Sequence, residues 1–352
     1  MGTPLKLLKS VLSPKTLSPS SPRLLFVPKL NNNVIQNKCV SLNKQRKSPA
    51  KNFEYSDVAP KVKLAFEPVD IHVTNHSDKL KEIIKHDIFM NSPMKKNIIE
   101  NGVADDRFLN ILGKGSFGKV IRAVYKGTTV AMKLVKTSKY SSRDHNALNL
   151  NHPNIVKTLH IIGNEESVFS MILMEYFADC QDMQSILDNP EVSLDNRIVI
   201  KYAKDICEAL QHCHENGILH LDLKPQNVLL CGDVCKICDF GNSAKITELV
   251  DFFEHQGTAV YTAPEILQGI KPTEKSDVYS LGILLWQMLA RKNPYSDLDN
   301  IETVIYMVVK CHLRPDMQNP TDALSNLYQN CWKSKPYNRP TVAEISNVLS
   351  NL

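Results

Sequence analysis

Residue types that suit phosphate chemistry are concentrated in one short segment of the chain. The segment reads His220-Leu221-Asp222-Leu223-Lys224-Pro225-Gln226-Asn227, and Asp239 opens an Asp-Phe-Gly triplet twelve residues later. Carboxylate and amide oxygens bind hard divalent cations, and a lysine ammonium neutralises the charge of phosphate. An isolated aspartate or lysine is usually a solvated surface charge, but this combination and spacing favour a chemical role.

A glycine-rich segment lies upstream. Gly113, Gly115 and Gly118 form a G-x-G-x-x-G pattern, and Val130-Ala131-Met132-Lys133 follows after a turn. The pattern alone is weak evidence because it also marks dinucleotide-binding folds, in which a helix opens at the glycines. Here residues 119–125 have the composition of a β-strand, and a lysine ends the next strand. The sequence therefore predicts a β-hairpin that covers phosphates, with a cation beneath it.

The order and spacing of these motifs resemble those of protein kinases over about residues 107–350. The resemblance implies an α+β, bilobal protein kinase fold with a β-rich first lobe and a mainly helical second lobe. It also implies the use of ATP and Mg²⁺ and transfer of phosphate to a serine or threonine hydroxyl of a protein substrate. Positioning and charge neutralisation supply most of the catalysis in such transfers, which explains the residue types.

The resemblance assigns a role to each motif residue. Asp222 would orient the acceptor hydroxyl and take its proton, Lys224 would contact the transferring phosphate, and Lys133 would contact the α- and β-phosphates. Asn227 and Asp239 would hold Mg²⁺. The residues expected to contact the rest of the nucleotide are Leu112, Gly113, Gly115, Gly118, Val120, Ala131, Glu175, Phe177 and Leu229.

Other residues are expected to position these groups. Thr258 should bond the catalytic aspartate and lysine, and Glu265 and Arg339 match the family's buried ion pair. Residues 276–290 form a largely apolar stretch at helical spacing. This pattern predicts the buried central helix of the second lobe, with Asp277 as the anchor of the catalytic loop.

Two positions depart from the family pattern. The first-lobe helix usually supplies a glutamate to the strand lysine, but the one acidic residue available is Asp144, four positions before Leu148. On an α-helix that spacing turns Asp144 toward Lys133. Leu221 replaces an arginine that receives a phosphorylated loop residue in many kinases, so activity is expected without loop phosphorylation. Lys245 is the alternative receiver.

Within the protein kinases, the chain resembles the Mos family. The resemblance is carried by His-Leu-Asp-Leu-Lys-Pro at 220–225, by residues 233–237, by Tyr261-Thr262, and by residues 286–288 and 313–315. It implies a kinase that acts on a MAP kinase kinase during meiotic maturation. A Raf-like or mixed-lineage kinase is the nearest alternative. A pseudokinase scaffold is an alternative of another class, which the complete set of motif residues disfavours.

Composition and the kinase resemblance together divide the chain. From composition, residues 1–100 are expected to form a flexible tail. The resemblance implies a first lobe and hinge at 107–177 and a second lobe at 178–352. Residues 1–60 hold ten basic and two acidic residues, which leaves 32 basic and 35 acidic residues for the remainder. That near-neutral remainder argues against nucleic-acid binding.

The cysteine count and the hydropathy pattern predict the setting. Nine scattered cysteines do not form the framework of a secreted disulfide domain, so a reducing, cytoplasmic setting is expected. No stretch approaches the roughly 18 apolar residues of a membrane helix. Cys238, immediately before Asp239, is expected to line the floor of the nucleotide site.

Overall fold

The computed structural model of the protein describes residues 88–89, 111–115, 118–136, 141–163, 169–249, 257–316 and 322–352. Most of the predicted tail lies outside these ranges. Within it, the strand Ile88–Phe89 pairs with Tyr125 and Val124. This pairing differs from the expectation for residues 1–100, because main-chain groups can pair with a sheet edge whatever the surrounding composition.

A six-stranded antiparallel sheet forms the first lobe. Its strands are β1 (Ile88–Phe89), β2 (Ile111–Gly115), β3 (Gly118–Tyr125), β4 (Thr128–Lys136), β5 (Thr158–Ile162) and β6 (Phe169–Glu175). The order across the sheet is β1-β3-β4-β6-β5, and β2 also pairs with β3. Alternate residues such as Ile121, Ala123, Val130 and Met132 are buried. Both predicted strands are present, but β4 continues to Lys136, so the expectation that Lys133 ends its strand is wrong.

The first-lobe helix is a 3₁₀ helix, Ser141–Asn149, and not the α-helix assumed from the sequence. Asp144, Ala147 and Leu150 are buried, whereas Leu148 is 37% exposed. A period of three residues per turn places Asp144 on one face with Ala147 and Leu150. The expected i, i+4 alignment of Asp144 with Leu148 is therefore wrong, although Asp144 itself does point inward.

The second lobe is mainly helical. Its α-helices are α1 (Met183–Asp188), α2 (Asn196–Glu215), α3 (Pro264–Leu267), α4 (Glu274–Ala290), α5 (Ile301–Lys310), α6 (Ala323–Cys331) and α7 (Val342–Ser350). Every residue of α4 from Ser276 to Met288 is buried. A capping box between Thr273 and Ser276 fixes the start of this helix. The predicted buried central helix is confirmed.

Two small antiparallel sheets flank the catalytic loop, residues 220–227. One consists of β7 (Cys180–Asp182), β9 (Val228–Cys231) and β10 (Val234–Ile237). The other pairs β8 (Ile218–Leu219) with β11 (Ala244–Lys245). Because the loop joins β8 to β9, its two ends are held by different sheets.

A disulfide joins Cys180 on β7 to Cys231 on β9. The reducing setting expected from the cysteine count predicts free thiols, so this bond differs from the expectation. Strand register explains the pairing, because the two residues are directly opposed and their Cα atoms are 4.5 Å apart. That separation is within the range that a disulfide can bridge. Single-sequence spacing does not reveal such a register.

The sequence predicts that the chain has no membrane-spanning segment, and the helices of the structure can be compared with this expectation. Over the described ranges, no helix combines the length and the apolar character that crossing a bilayer requires.

Candidate active site

The register between β2, β3 and β4 places Lys133 beneath the glycine-rich hairpin. β2 and β3 form this hairpin, with Gly115 opposite Gly118 and Gly113 opposite Val120. Val120 in turn lies opposite Lys133 on β4. Lys133 is only 5% exposed, so its ammonium lies inside the lobe. The structure therefore contains the hairpin and the underlying cation that the sequence predicts.

Two carboxylates bind Lys133. Its Nζ donates to Asp144 Oδ1 at 3.1 Å and to Asp239 Oδ1 at 2.8 Å. Burial acts to lower the pKa of Lys133, but the charges of Asp239 and Asp144 outweigh it and raise this pKa above its usual value. For Asp144, burial raises the pKa and the attraction of Lys133 only partly offsets it. The expected pairing of Lys133 with Asp144 is thus present, and the Asp239 carboxylate binds the same ammonium group.

Asp239 adopts the left-handed conformation, with φ 63°. Its Oδ1 also accepts a hydrogen bond from Gly241 N at 3.3 Å. Burial acts to raise the pKa of Asp239, but the charge and the hydrogen bond of Lys133 outweigh it and hold this pKa below its usual value. Asp239 is therefore ionised at neutral pH and is suited to bind a hard cation. Such a backbone conformation costs about 1–3 kcal/mol and is typical of functional sites.

Asp222, in the catalytic loop, is held by three neighbours. Its Oδ2 accepts hydrogen bonds from Lys224 Nζ at 2.8 Å and from Asn227 Nδ2 at 3.2 Å. Its Oδ1 accepts one from Thr258 N at 3.2 Å, and Lys224 Nζ also donates to Thr258 Oγ1 at 2.8 Å. Thr258 therefore bonds both catalytic-loop residues, as the sequence predicts. The aspartate is fixed in one orientation.

Asp277 anchors the catalytic loop from α4. Its Oδ2 accepts from His220 N at 3.0 Å, and its Oδ1 accepts from Leu221 N at 2.8 Å. Nε2 of His214, on α2, lies 2.9 Å from the same Oδ2. Burial acts to raise the pKa of Asp277. The hydrogen bond and charge of His214, together with smaller effects of His220 and Leu221, outweigh burial and hold this pKa below its usual value. The predicted anchor is confirmed, and it offsets the strain of Leu221, whose φ is 62°.

His220 links the two halves of the site, and the sequence reasoning gave it no role. Its Nδ1 accepts a hydrogen bond from Asp222 N at 3.3 Å, and its Nε2 lies 3.0 Å from the carbonyl oxygen of Cys238. Because a carbonyl oxygen only accepts, these contacts assign the proton to Nε2. The ring also packs edge-on against Phe240, with 4.9 Å between centroids. His220 therefore ties the catalytic loop to the Asp-Phe-Gly triplet.

Glu265 and Arg339 form the ion pair expected from the sequence. Arg339 Nη1 donates to Glu265 Oε1 at 2.7 Å and Nη2 donates to Oε2 at 2.8 Å. Ser276 Oγ donates to the same Oε1 at 2.9 Å. Both charged residues are buried. The two-pronged geometry connects the segment after Thr258 to the end of the second lobe.

The residues expected to contact adenine are on strands of both lobes. Leu112 is on β2, Val120 on β3, Ala131 on β4 and Leu229 on β9. Ala131 is paired with Met174 on β6, next to the hinge. These positions come from both lobes, as an adenine sandwich requires.

The hinge begins at Glu175, the last residue of β6. Its N–H donates to Lys157 O at 3.0 Å, and its carboxylate accepts from Lys157 N at 2.9 Å and from Lys236 Nζ at 3.2 Å. Lys236 Nζ also lies 4.9 Å from the ring centroid of Phe177. These contacts fix the hinge, and they commit the Glu175 N–H to a protein partner.

Among the described residues, two concavities that differ in size lie near the hinge. The smaller is bordered by Lys133, Asp144, Met174 and Asp239, which include the charged groups suited to phosphate chemistry. The larger, about 550 Å³, is bordered by Phe177 and by the Cys180–Cys231 disulfide. Neither Lys133 nor Asp239 borders it, whereas both border the smaller concavity, so the smaller one marks the candidate active site despite its size.

Comparison with known proteins agrees with this geometry. The protein kinase domain matches residues 107–349. The chain is 39% identical over 263 residues to the serine/threonine-protein kinase mos of Patiria pectinifera, covering 69% of this chain and 74% of the relative. It is 35% identical over 265 residues to mos of Xenopus laevis, covering 67% and 73%. The proto-oncogene serine/threonine-protein kinase mos of Rattus norvegicus is 35% identical over 263 residues, covering 66% and 76%.

The fold and the domain match define a bilobal protein kinase that uses ATP and phosphorylates serine or threonine of protein substrates. The chain belongs to the protein kinase family and, within it, to the Mos serine/threonine kinases.

Proposed function

We propose that this kinase activates a MAP kinase kinase during meiotic maturation, in the cytoplasm, with Mg²⁺ as the metal cofactor. One observation carries the catalytic part of the proposal. Lys133 is paired with Asp144 and Asp239, and Lys224 is paired with Asp222, so that each of these charged groups has an opposite partner. His220 holds the two segments together through its contacts with Asp222 N and Cys238 O. The likeness to mos kinases supports the choice of substrate.

Asp222 is proposed to orient the acceptor hydroxyl and to receive its proton. Lys224 and the Thr258 N–H hold the carboxylate from two sides, so that it meets a substrate without rotating. Lys224 Nζ is proposed to stabilise the transferring phosphate as its charge develops. Lys133 Nζ, oriented by Asp144, is proposed to bind the α- and β-phosphates.

Asp239 and Asn227 are the proposed Mg²⁺ ligands. Their chemistry fits, because the ionised Asp239 carboxylate and the Asn227 amide oxygen are hard donors. Asn227 Nδ2 donates to Asp222 O at 2.8 Å, which fixes the side chain by its nitrogen and leaves its oxygen as the donor for a metal. When bound, Mg²⁺ supplies neutralisation of charge on the phosphate oxygens.

The nucleotide is proposed to lie between the glycine-rich hairpin and β9. The backbone at Gly113, Gly115 and Gly118 covers the phosphates, since glycine permits close approach. Leu112, Val120, Ala131 and Leu229 sandwich the adenine, and the backbone at Glu175 and Phe177 contacts its edge. Because the Glu175 N–H already donates to Lys157 O, the carbonyl oxygen of Glu175 is the group proposed to contact adenine.

The catalytic roles are tested with Lys133→Arg, Asp222→Asn and Asp239→Asn. Each change is expected to lower phosphoryl transfer by at least about 100-fold, because charge and positioning supply most of the catalysis. Asp233→Asn and Lys201→Arg are matched controls, since these two exposed residues lie in a surface pair with 3.7 Å between charged atoms. Near-normal turnover by a folded Asp222→Asn enzyme would refute the mechanism, and inactivity of the unaltered chain would favour a pseudokinase scaffold.

The substrate proposal needs a separate assay. The full chain is incubated with Mg-ATP and catalytically inactive MAP kinase kinases, alongside inactive MAP kinases and a generic basic protein. We expect phosphate on serine or threonine of a MAP kinase kinase, and activation of its wild-type form. An active kinase that labels the other proteins but no MAP kinase kinase would disprove this choice. A Raf-like or mixed-lineage kinase would give the same product, so injection into oocytes tests the meiotic role.

A further inference from the structure

The Cys180–Cys231 disulfide joins the end of the hinge to a strand proposed to contact the nucleotide. Residues 176–179 follow Glu175, and Cys180 opens β7 directly after them. Cys231 closes β9, the strand that carries Leu229 and follows the catalytic loop. The bond therefore ties the chain after the hinge to the strand on which adenine is proposed to rest.

The hinge is held at both ends by the same three-stranded sheet. At its start, Glu175 accepts from Lys236 Nζ at 3.2 Å, and Lys236 lies on β10. At its end, Cys180 is joined to β9 by the disulfide and by the pairing of β7 with β9. Ala178 and Asp179, between these two anchors, are exposed. Because exposed residues gain little order from packing, the order of this segment depends on its anchors.

The disulfide is open to small molecules. Cys180 and Cys231 are both half-buried, and both border the concavity of about 550 Å³ described above. That volume is within the range of sites that admit small ligands. A partly exposed disulfide can exchange with a dissolved thiol, and the reduced pair can exchange with a dissolved disulfide.

Most of the other described cysteines are protected from this chemistry. Four are buried, and burial raises the pKa of each thiol and so lowers its thiolate fraction. They are Cys207, Cys213, Cys235 and Cys331. Cys238 has a pKa raised to about 12 by burial and by the charge of Asp239. Among the described cysteines, this leaves Cys311 and the directly opposed pair of Cys180 and Cys231.

We propose that Cys180 and Cys231 form a reversible redox site that controls the affinity of the kinase for nucleotide. Disulfides in a reducing cytoplasm are usually transient and often sense redox conditions. The proposed exchange partner is a low-molecular-weight disulfide such as glutathione disulfide. Through a mixed disulfide, two protein thiols and one glutathione disulfide give the protein disulfide and two molecules of glutathione. The cysteine pair loses two electrons and two protons, and glutathione disulfide gains them.

The closed bond is expected to favour nucleotide binding. It holds residues 176–179 beside β9 before the nucleotide arrives, so less conformational entropy is lost on binding. Reduction releases this anchor but leaves the ion pairs of Lys133 and Lys224 in place. The change should therefore appear in nucleotide affinity and not in the rate of phosphoryl transfer. The effect on affinity rests on the nucleotide site proposed above, whereas formation of the bond does not.

The experiment compares the two redox forms of the full-length chain. The folded protein is equilibrated without oxygen in buffers that range from excess glutathione to excess glutathione disulfide. Thiols are then blocked with an alkylating reagent, and peptide mass spectrometry measures the fraction of Cys180 bonded to Cys231. Calorimetry on the same samples gives Kd for Mg-ADP, and steady-state kinetics on a generic basic protein gives KM for ATP and kcat.

Three variants accompany the wild type. Cys180→Ser and Cys231→Ser cannot form the bond, and each changes a half-buried side chain by a single atom. The control is Cys311→Ser, which alters a half-buried cysteine directly after α5, outside β7 and β9.

The bond is expected to open and close reversibly across the buffer series. Reduction should raise Kd for Mg-ADP and KM for ATP by about fivefold, which is the cost of ordering roughly one residue, with kcat changed less than about twofold. Cys180→Ser and Cys231→Ser should show the affinity of the reduced wild type in every buffer. Cys311→Ser should respond as the wild type does.

A bond that stays open in excess glutathione disulfide would overturn the proposal. So would a bond that excess glutathione cannot reduce in the folded protein, because this result identifies a permanent structural cross-link. An equal or lower Kd for Mg-ADP in the reduced enzyme would also overturn it. Bond mapping and calorimetry need no catalysis, so an enzyme inactive in both redox forms would refute the proposed catalytic function and leave this test intact.

Discussion

Asp144 shows how one methylene group alters a buried contact. Its carboxylate reaches Lys133 at 3.1 Å although its side chain is shorter than the glutamate of the family pattern. The 3₁₀ geometry of Ser141–Asn149 winds the segment more tightly and keeps Asp144 on the inner face with Ala147. Lys133 is thereby oriented by two carboxylates, one from each lobe.

The first prediction concerns this contact. Asp144→Asn removes one of the two charges that hold Lys133, and kcat/KM is expected to fall by about 10- to 100-fold, which corresponds to about 1.4–2.7 kcal/mol. Asp144→Glu is expected to be no better than the wild type, because Asp144 is 5% exposed and an added methylene needs space. Steady-state kinetics on a fixed peptide measures both.

The control for this comparison is Asp195→Asn, at an exposed N-cap where asparagine caps nearly as well as aspartate. An Asp144→Asn enzyme with unchanged kcat/KM would show that Asp239 alone orients Lys133. A more active Asp144→Glu enzyme would show that the shorter side chain is a defect of this site.

The second prediction concerns Cys238. Burial, and then the charge of Asp239, raise the pKa of this thiol to about 12. Roughly one thiol in 10⁵ is then ionised at pH 7. We expect a small free electrophile to label Cys238 slowly, and the same electrophile carried on an ATP-site inhibitor to label it much faster. Peptide mass spectrometry after timed exposure gives the two rates.

Saturating Mg-ATP should suppress labelling from the inhibitor-linked reagent, and Cys238→Ser should abolish it. Half-buried Cys311 in the second lobe provides an internal reference in the same sample. Equal labelling of Cys238 with and without Mg-ATP would contradict the expectation that this residue lines the nucleotide site.

Contacts between residues of the kinase motifs were predictable from the sequence, even where the motifs are far apart, whereas contacts that involve residues outside the motifs were not. The bonds of Thr258 and the Glu265–Arg339 pair follow from motif order. The contact of His214 with Asp277 joins residues 63 positions apart on two helices, and no local spacing reveals it. The Tyr261–Gln287 bond belongs to the same group.

At the level of elements, the strands and the central helix matched the sequence patterns, but the 3₁₀ helix did not. Hydrophobic spacing identifies a helix through a period near 3.6, and a nine-residue segment cannot separate that period from three. Residues 141–149 contain several Ser, Asn, His and Asp residues, which are weak α-helix formers. This composition was the sign in the sequence that the segment is not an α-helix. The Cys180–Cys231 bond likewise depends on register between β7 and β9.

The third prediction concerns the packing of α4 against α6. A Cβ atom at Gly282 would lie 2.7 Å from Cys331 Cβ, 3.1 Å from Tyr328 O and 3.2 Å from Trp332 N. Backbone atoms of α6 cannot yield without moving the helix. Gly282→Ala is therefore expected to destabilise the protein by about 1–3 kcal/mol, although alanine favours helices. The expected fall in Tm is about 2–10 °C.

Calorimetry on purified protein measures this change. The companion variant is Cys331→Gly, which removes the nearest Cβ, and the double variant should lose less stability than the sum of the two single variants. A Gly282→Ala protein with an unchanged or higher Tm would show that α4 and α6 are less tightly packed than the structure indicates.

For the molecule as a whole, the question is how a kinase without the usual phosphate receiver becomes active. Leu221 is 4% exposed and carries no donor. The alternative receiver, Lys245, already donates to Glu248 Oε1 at 2.8 Å on an exposed surface. The catalytic loop is instead fixed by Asp277, through bonds that do not involve a modified residue. The described parts of the site are thus assembled in the unmodified chain.

The hydroxyl groups of the loop support the same conclusion. Residues 239–265 contain Ser243, Thr247, Thr258, Tyr261 and Thr262. Ser243 is buried and donates to Arg143 O, Thr258 bonds Lys224, and Thr262 donates to Thr258 O. Tyr261 is engaged by Gln287. Thr247 is exposed, and it lies beside Glu248, where an added phosphate would be repelled.

The fourth prediction is that catalysis does not require phosphorylation of residues 239–265. Control is then expected to lie in synthesis, in degradation or in the N-terminal tail, which contains Ser-Pro pairs at 13–14, 18–19, 21–22 and 48–49. Active full-length enzyme is treated with a broad-specificity phosphatase, the loop is confirmed as unmodified by mass spectrometry, and kcat/KM is measured after the phosphatase is removed. We expect less than about a threefold change, because the bonds of Asp222, Lys224 and Asp277 remain in place. Thr247→Ala should behave like the wild type before and after treatment. A fall of 100-fold or more, reversed by rephosphorylation within the loop, would contradict the prediction and identify Lys245 or another basic residue as the receiver.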